Sequence, residues 1–258
     1  MLVAAGLLLI FGVVVVADGW QAFGQRAAGE RRAAMEASPH YGDGIFHNNE
    51  PLWIDQWLMV FGFVEHSAFA SPTAPVPWQP VKPERFATRP PSGLRVTWLG
   101  HSTVLVEIDG YRVLTDPVWG ERPSPVDWLG PSRWYPPPLA LEDLPPLDAI
   151  VLSHDHYDHL DYPTIHALRD LDTRWFAPLG VDAHLVYWGV PAKRITTVDW
   201  GDAHTLDPPR AATGTVAEEH RLVVHATESR HASGRQVFDQ NATLWAGYAL
   251  VGPEHRVF

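Results

Sequence analysis

From His154 to His159 the chain reads His154-Asp155-His156-Tyr157-Asp158-His159, three imidazoles and two carboxylates in six consecutive positions. Imidazole nitrogen and carboxylate oxygen are ligands that zinc accepts, and manganese or iron would also be held by them. His154 and His156 stand two apart, so on extended backbone their side chains leave one face and can grip a single ion. Asp158 and His159 follow as the chain turns toward the next helix, where they can face a second ion beside the first. Two ions about 3.5–4 Å apart polarise a phosphoryl or carbonyl oxygen and stabilise the leaving oxygen. That chemistry is hydrolysis. The blander alternative is a solvated, His-rich helix start, with Asp158 near the N-terminus for its dipole. The chain has no cysteine, so thiolate ligands and disulfides are both excluded. A metal must rest on His, Asp and Glu.

Such side chains need a rigid element behind them. The apolar run Ala149–Ser153 reads as a buried strand that delivers His154 at its end. Leu94–Leu99, Thr103–Ile108 and Tyr111–Thr115 are short runs rich in β-branched and aromatic residues. Asp109-Gly110, the preferred two-residue hairpin turn, separates the second from the third. Asp116 to Pro146 is rich in Pro and Trp and lacks periodicity, which predicts a long functional loop. Helices are expected over Pro163–Asp170 and Val181–Trp188, and strands at Trp175–Ala177, Ile195–Val198, Leu222–Ala226 and Leu244–Val251. Strands first, then strands alternating with helices, give an α/β (α+β) fold with sheets flanked by helices.

Upstream, Leu2 to Ala17 carries no charge, and the first basic residues, Arg26, Arg31 and Arg32, come after it. A membrane span needs about 20 apolar residues, so the run is marginal. It reads as an N-terminal anchor with a cytoplasmic body, with a cleaved signal or a helix buried on the domain as alternatives. Trp53 to Val64 is a second apolar stretch, suited to a bilayer surface or to packing on the domain. Ser71 to Gly93 holds seven prolines and reads as an extended surface connector. The domain division expected is therefore 1–25, 26–93 and 94–258. A net charge of −11 argues against a surface that tracks phosphates, so nucleic acid is not an expected partner.

Around the histidine motif stand Trp98-Leu99-Gly100-His101-Ser102-Thr103, then Leu114-Thr115-Asp116-Pro117-Val118-Trp119, then Gly130-Pro131-Ser132-Arg133-Trp134. With His154-x-His156-x-Asp158-His159, these resemble the metallo-β-lactamase superfamily. Within it they resemble the branch of the N-acyl-phosphatidylethanolamine-hydrolysing phospholipase D, from near Ser38 to Phe258. The resemblance implies an αββα sandwich holding two zinc ions, with manganese or iron left open. It implies a third histidine on the first metal. His231 in His231-Ala232-Ser233-Gly234-Arg235 matches better than His225, although Ala232 departs from the family's aromatic. Asp158 and His159 would serve the second metal and the catalysis, and Asp116 and His101 would lie beside the metals, orienting ligands or facing substrate, where the bland alternatives are a turn aspartate before Pro117 and a satisfied loop histidine.

The family pattern also calls for two ligands beyond His231, an aspartate after a strand and a later histidine. His255-Arg256-Val257-Phe258 reads as the start of the strand leading to that aspartate, so the expectation is a fragment with the second half of the sandwich incomplete. The implied function is a zinc phosphodiesterase of phospholipase D type, cleaving N-acyl-phosphatidylethanolamine-like lipids through a metal-bound hydroxide. A lactonase or other small-metabolite hydrolase, and a non-catalytic truncated product, stay open as alternatives. The partners expected are a phospholipid or other small-molecule substrate and a membrane, with a homodimer left open.

Overall fold

The computed structural model describes residues 2–52, 71–209, 217, 220–236 and 238–258. The Trp53 to Val64 stretch lies outside them. Elements run in the order α1 (Leu2–Gly19), α2 (Glu30–Ala37), β1 (Tyr41–Gly42), β2 (Ile45–Phe46), β3 (Leu94–Gly100), β4 (Thr103–Ile108) and β5 (Tyr111–Thr115). There follow β6 (Ala149–Val151), α3 (Tyr162–Leu168), β7 (Arg174–Pro178), α4 (Val181–Tyr187), β8 (Ile195–Val198), β9 (Ala203–Thr205), β10 (Val223–Thr227), β11 (Gly247–Val251) and β12 (Arg256–Val257). Asp109 and Gly110 both take positive φ, 47° and 89°, as the tight turn between β4 and β5 requires.

Two sheets carry the body. The first has strand order β3-β4-β5-β6-β7-β8, antiparallel through β5 and parallel from β5 to β8. The second, β12-β11-β10-β9, is antiparallel throughout. Side chains that alternate along each strand of the first sheet divide between two cores. Leu105, Leu114, Ile150 and Trp175 pack with Ile165 and Leu168 of α3 and Leu185 of α4. Their chain neighbours Val106, Val113, Val151 and Phe176 face the other way and pack with Val224, Ala226 and Leu250 of the second sheet. The layers are helices, sheet, sheet. The outer face of the second sheet shows Val223, His225, Ala249 and Val251, all half-exposed.

The N-terminal segments are built into this body. Met35 of α2 and Phe46 of β2 are buried against Leu179, Leu244 and Trp245. The Pro-rich connector is less superficial than its composition suggests, because its short 3-10 turn Pro83–Phe86 buries Phe86 in the helix-side core. Among the described residues no helix is long and apolar enough to cross a membrane. The eighteen residues of α1 rise about 27 Å at 1.5 Å each, short of a hydrocarbon core of about 30 Å.

One buried ion network holds the connector to the sheet. Glu107, 1% exposed, accepts from Arg112 Nε at 3.1 Å and from Arg95 Nε, while Arg112 Nη2 donates to the Phe86 carbonyl. Removing the carboxylate would strand a buried guanidinium. Glu107→Ala is therefore expected to cost about 3–5 kcal/mol, read by urea unfolding at neutral pH. A loss below about 1 kcal/mol would show that the network contributes little beyond a surface pair.

Candidate metal centre

The first sheet aims its parallel strands at one edge, where β5 and β6 end side by side. Asp116 follows β5, and its backbone N–H donates to the Val151 carbonyl of β6 at 3.0 Å. Beyond Val151 the extended path continues, with Leu152 N–H bonded to the Phe176 carbonyl at 2.9 Å and Tyr248 Oη donating to the Leu152 carbonyl at 2.8 Å. Ser153 and His154 thus leave the sheet on fixed backbone. The chain then turns, with Leu160 N–H returning to the His156 carbonyl at 2.8 Å before α3 begins.

His154, His156 and His231 form one group of ligand-competent nitrogens. His154 Nε2 lies 2.9 Å from His156 Nδ1 and 3.0 Å from His231 Nε2. Proton bookkeeping fixes the chemistry of this contact. Ser153 Oγ lies 2.7 Å from Asp116 Oδ2 and 2.8 Å from His154 Nδ1. An ionised carboxylate only accepts, so the hydroxyl donates to Asp116 and must accept the His154 Nδ1 proton. A neutral His154 then has a bare lone pair at Nε2, aimed where two other imidazole nitrogens converge. Burial first, then the neighbouring imidazoles, push its pKa down to about 2, so the ring stays neutral. Three imidazole nitrogens facing one point fit a divalent cation.

The second group is His101, Asp158 and His159. His159 Nδ1 donates to Asp116 Oδ2 at 2.8 Å, which turns Nε2 toward the site, 3.7 Å from Asp158 Oδ2. Burial lowers the His159 pKa, but the Asp116 hydrogen bond and charge outweigh it and the net shift is upward. His101, at φ 47° in the β3–β4 connection, donates from Nε2 to Asp158 Oδ2 at 2.9 Å. A cation entering here would take the place of that proton. His101 thus lies beside Asp158 and His159 in the second group. His225 belongs to neither group, because it sits on the outer face of β10.

Behind the motif lies a support that type and spacing do not announce. Asp155, buried, points away from the histidines and accepts from Gly234 N–H at 2.7 Å and Thr243 Oγ1 at 2.9 Å. Desolvation raises its pKa, but His184, Gly234 and Arg235 together hold it well below the usual carboxylate range. Arg235 Nη1 donates to the carbonyls of Asp155 at 2.5 Å and Leu160 at 2.8 Å, clamping both ends of the turn. Its guanidinium lies 4.1 Å from the centre of the Tyr157 ring. The same Arg235 donates from Nε to the Ala22 carbonyl, and His184 Nδ1 accepts from Gln25 N–H. Asn48 pairs with the backbone of His231 in both directions, at 2.8 and 3.0 Å. The one signal the sequence carries for Asp155 is position: it alternates with the histidines and so must face inward.

A family profile described as a beta-lactamase superfamily domain matches residues 111–258. The chain belongs to the metallo-β-lactamase superfamily. A protein of Mycobacterium tuberculosis described only as uncharacterized is 44% identical over 234 residues, 88% of this chain and 58% of its own length. The N-acyl-phosphatidylethanolamine-hydrolyzing phospholipase D 1 of Caenorhabditis elegans is 38% identical over 172 residues, 65% of this chain and 46% of that protein. The chain thus spans about half the length of these curated relatives. A solved metallo hydrolase of Ignicoccus hospitalis, Igni18, is 21% identical with a TM-score of 0.44, covering 64% of this chain and 58% of its own. The superfamily's sandwich accounts for the two sheets and the helix layer.

The hydrogen bonds of Asp116 and Ser153 generate a graded prediction. Asp116→Asn should weaken metal at both groups, about 10–100-fold, as loss of a carboxylate behind a ligand does elsewhere. Ser153→Ala should weaken the His154 group most, because Ser153 Oγ lies 2.8 Å from His154 Nδ1 but 3.3 Å from His159 Nδ1. Competition with a chromophoric chelator would measure both steps, and equal effects of the two substitutions on both steps would contradict the relay.

Proposed function

We propose that the chain is the metal-binding portion of a zinc-dependent phosphodiesterase of phospholipase D type, acting on N-acyl-phosphatidylethanolamine-like lipids. The observation that carries this reading is the pairing of two ligand groups through one carboxylate, with an apolar cleft opening on the second. His154, His156 and His231 would hold one ion, and His101, Asp158 and His159 would contribute to another. Such ions supply Lewis acidity at a phosphoryl oxygen. The protein's own part is to keep His154 Nε2 unprotonated through Ser153, to hold the Nδ1 proton of His159 on Asp116 so that Nε2 faces the site, and to keep Asp158 beside them.

A cavity of about 610 Å³ borders Asp158 and His101 and is walled by Trp98, Val118, Trp134 and Tyr135. That volume is in the range of small-molecule sites, about 300–1,000 Å³. Its walls suit a substrate with hydrocarbon next to the scissile group better than a polar metabolite. Exposed apolar side chains on α1, among them Leu7, Ile10, Val13 and Val16, support contact with a lipid surface.

Turnover by the full-length protein decides between substrates. Release of a phosphatidic acid and an N-acylethanolamine from vesicles of N-acyl-phosphatidylethanolamine is expected, with His156→Ala losing metal and activity together. Cleavage of a lactone panel without phospholipid turnover would move the assignment to a small-metabolite hydrolase. Normal metal content in His156→Ala would contradict the ligand assignment.

A further inference from the structure

Between α1 and α2 the chain runs as a short strap, Trp20 to Gln25, whose hydrogen bonds go to the structure behind the histidine turn. The Gln21 carbonyl accepts from Trp188 Nε1 at 2.8 Å, and its side-chain Oε1 accepts from Tyr162 Oη at 2.5 Å. The Ala22 carbonyl accepts from Arg235 Nε at 2.9 Å, and Gln25 N–H donates to His184 Nδ1 at 3.0 Å. Ala22 is buried, and Trp20 stands edge-on to Tyr187 at 6.3 Å. Tyr162 opens α3, His184 and Tyr187 belong to α4, and Trp188 follows it. The strap thus touches two helices and the arginine that clamps the turn.

Two links run from the strap to Asp155, the residue between His154 and His156. The first is Arg235, held at Nε by the strap and at Nη1 by the Asp155 and Leu160 carbonyls. A guanidinium is planar, so fixing Nε orients Nη1. The rings of Tyr157 and Trp188, 4.1 and 5.1 Å from its central carbon, confine it further. The second link is His184. Because its Nδ1 accepts the Gln25 proton, the neutral ring carries its own proton on Nε2, 3.5 Å from Asp155 Oδ2. Gly24 decides whether the strap can approach this closely. It takes φ 73°, and a Cβ there would stand 2.0 Å from His184 Nδ1. Gly29, just beyond the strap at φ 57°, is different, because a Cβ there would meet nothing within 4 Å.

We propose that the strap is a positioning element of the metal centre, seated by Gly24 and acting through Arg235 and His184 to hold the turn that carries His154 and His156. The inference takes only the ligand assignment from the proposed function and is independent of the substrate. A strap that merely covered the core would stabilise the fold without changing how tightly the folded chain holds an ion. A strap that positions the turn changes that affinity, and by linkage an ion on the histidines holds the strap down by the same factor.

The test needs zinc alone and no turnover. Competition with a chromophoric chelator reads the tightest zinc site of the whole chain. Gly24→Ala should weaken it about 10-fold, the lower end of the effect of residues behind metal ligands elsewhere. Gly29→Ala forces a positive φ on alanine in the same segment without a contact, and should leave zinc affinity unchanged. Equal losses in the two variants, or none in Gly24→Ala, would overturn the strap. If Gly24→Ala does not fold, the reciprocal effect is read on the unsubstituted chain by amide hydrogen exchange. Saturating zinc should slow exchange of Gln25 N–H about 10-fold, as linkage requires. Ala33 N–H, bonded to the Gly29 carbonyl at 3.0 Å outside the strap, should slow less. Equal slowing at the two amides, or none at Gln25, would overturn the strap as well. A chain that binds no zinc would sink the ligand assignment and the strap with it, whereas tight zinc binding with an indifferent strap would sink the strap alone.

Discussion

The Asp116 carboxylate accepts from Ser153 N–H and Ser153 Oγ, each at 2.7 Å, and from His159 Nδ1 at 2.8 Å. Through the serine hydroxyl it sets the tautomer of His154, and directly it sets that of His159. One side chain thus decides which nitrogen of each ring is offered to a cation, in both ligand groups. The aspartate can do this only because β5 and β6 run parallel and in register, Leu114 opposite Ile150 and Thr115 opposite Val151, so that Asp116 and Ser153 emerge together. The backbone bends sharply there, with Asp116 at φ 35°, an uncommon conformation that aspartate tolerates better than most residues. Thr103 Oγ1, fully buried, bonds to the Asp116 carbonyl at 2.8 Å and receives Val118 N–H at 3.1 Å, which holds the bend.

Much of this framework is legible in the amino-acid sequence. The strand runs ending at Ile108, Thr115 and Val198 stop at those residues in the fold, and the Asp109-Gly110 turn is where the pattern puts it. Local rules suffice for these, because alternation and turn chemistry are written in neighbouring residues. Short elements escape such rules: β9 and β12 are two or three residues long and exist only because β10 and β11 offer them partners. Leu244 to Ala246 lies outside β11 although its residues are as apolar, because Leu244 and Trp245 face the N-terminal segments instead. That preference depends on what folds against them, and no window of sequence contains it.

The site divides in the same way. The histidines advertise themselves by type and spacing. Asp155, Arg235 and His184 do not, since a buried acid, a buried arginine and a helical histidine have no distinguishing local pattern. Their importance is set by partners 75 to 213 positions away in the chain, among them the Leu160 carbonyl and the Ala22 carbonyl. His101 shows the intermediate case. Its sequence context brings it near the site, but only the fold shows its Nε2 on the Asp158 carboxylate.

A shared scaffold also ties Arg133 to the ligand groups. The loop after Asp116 contributes Val118 and Gly120, whose carbonyls orient Arg133, and Gly120 N–H is held by Asp161 at the N-terminus of α3. Asp161 follows directly on Leu160, whose carbonyl is clamped by Arg235. A displacement of the histidine turn would therefore move the start of α3, then the Gly120 carbonyl, then the guanidinium. The histidine turn and the Arg133 guanidinium are linked through covalent neighbours and a short chain of hydrogen bonds, about 1 kcal/mol each.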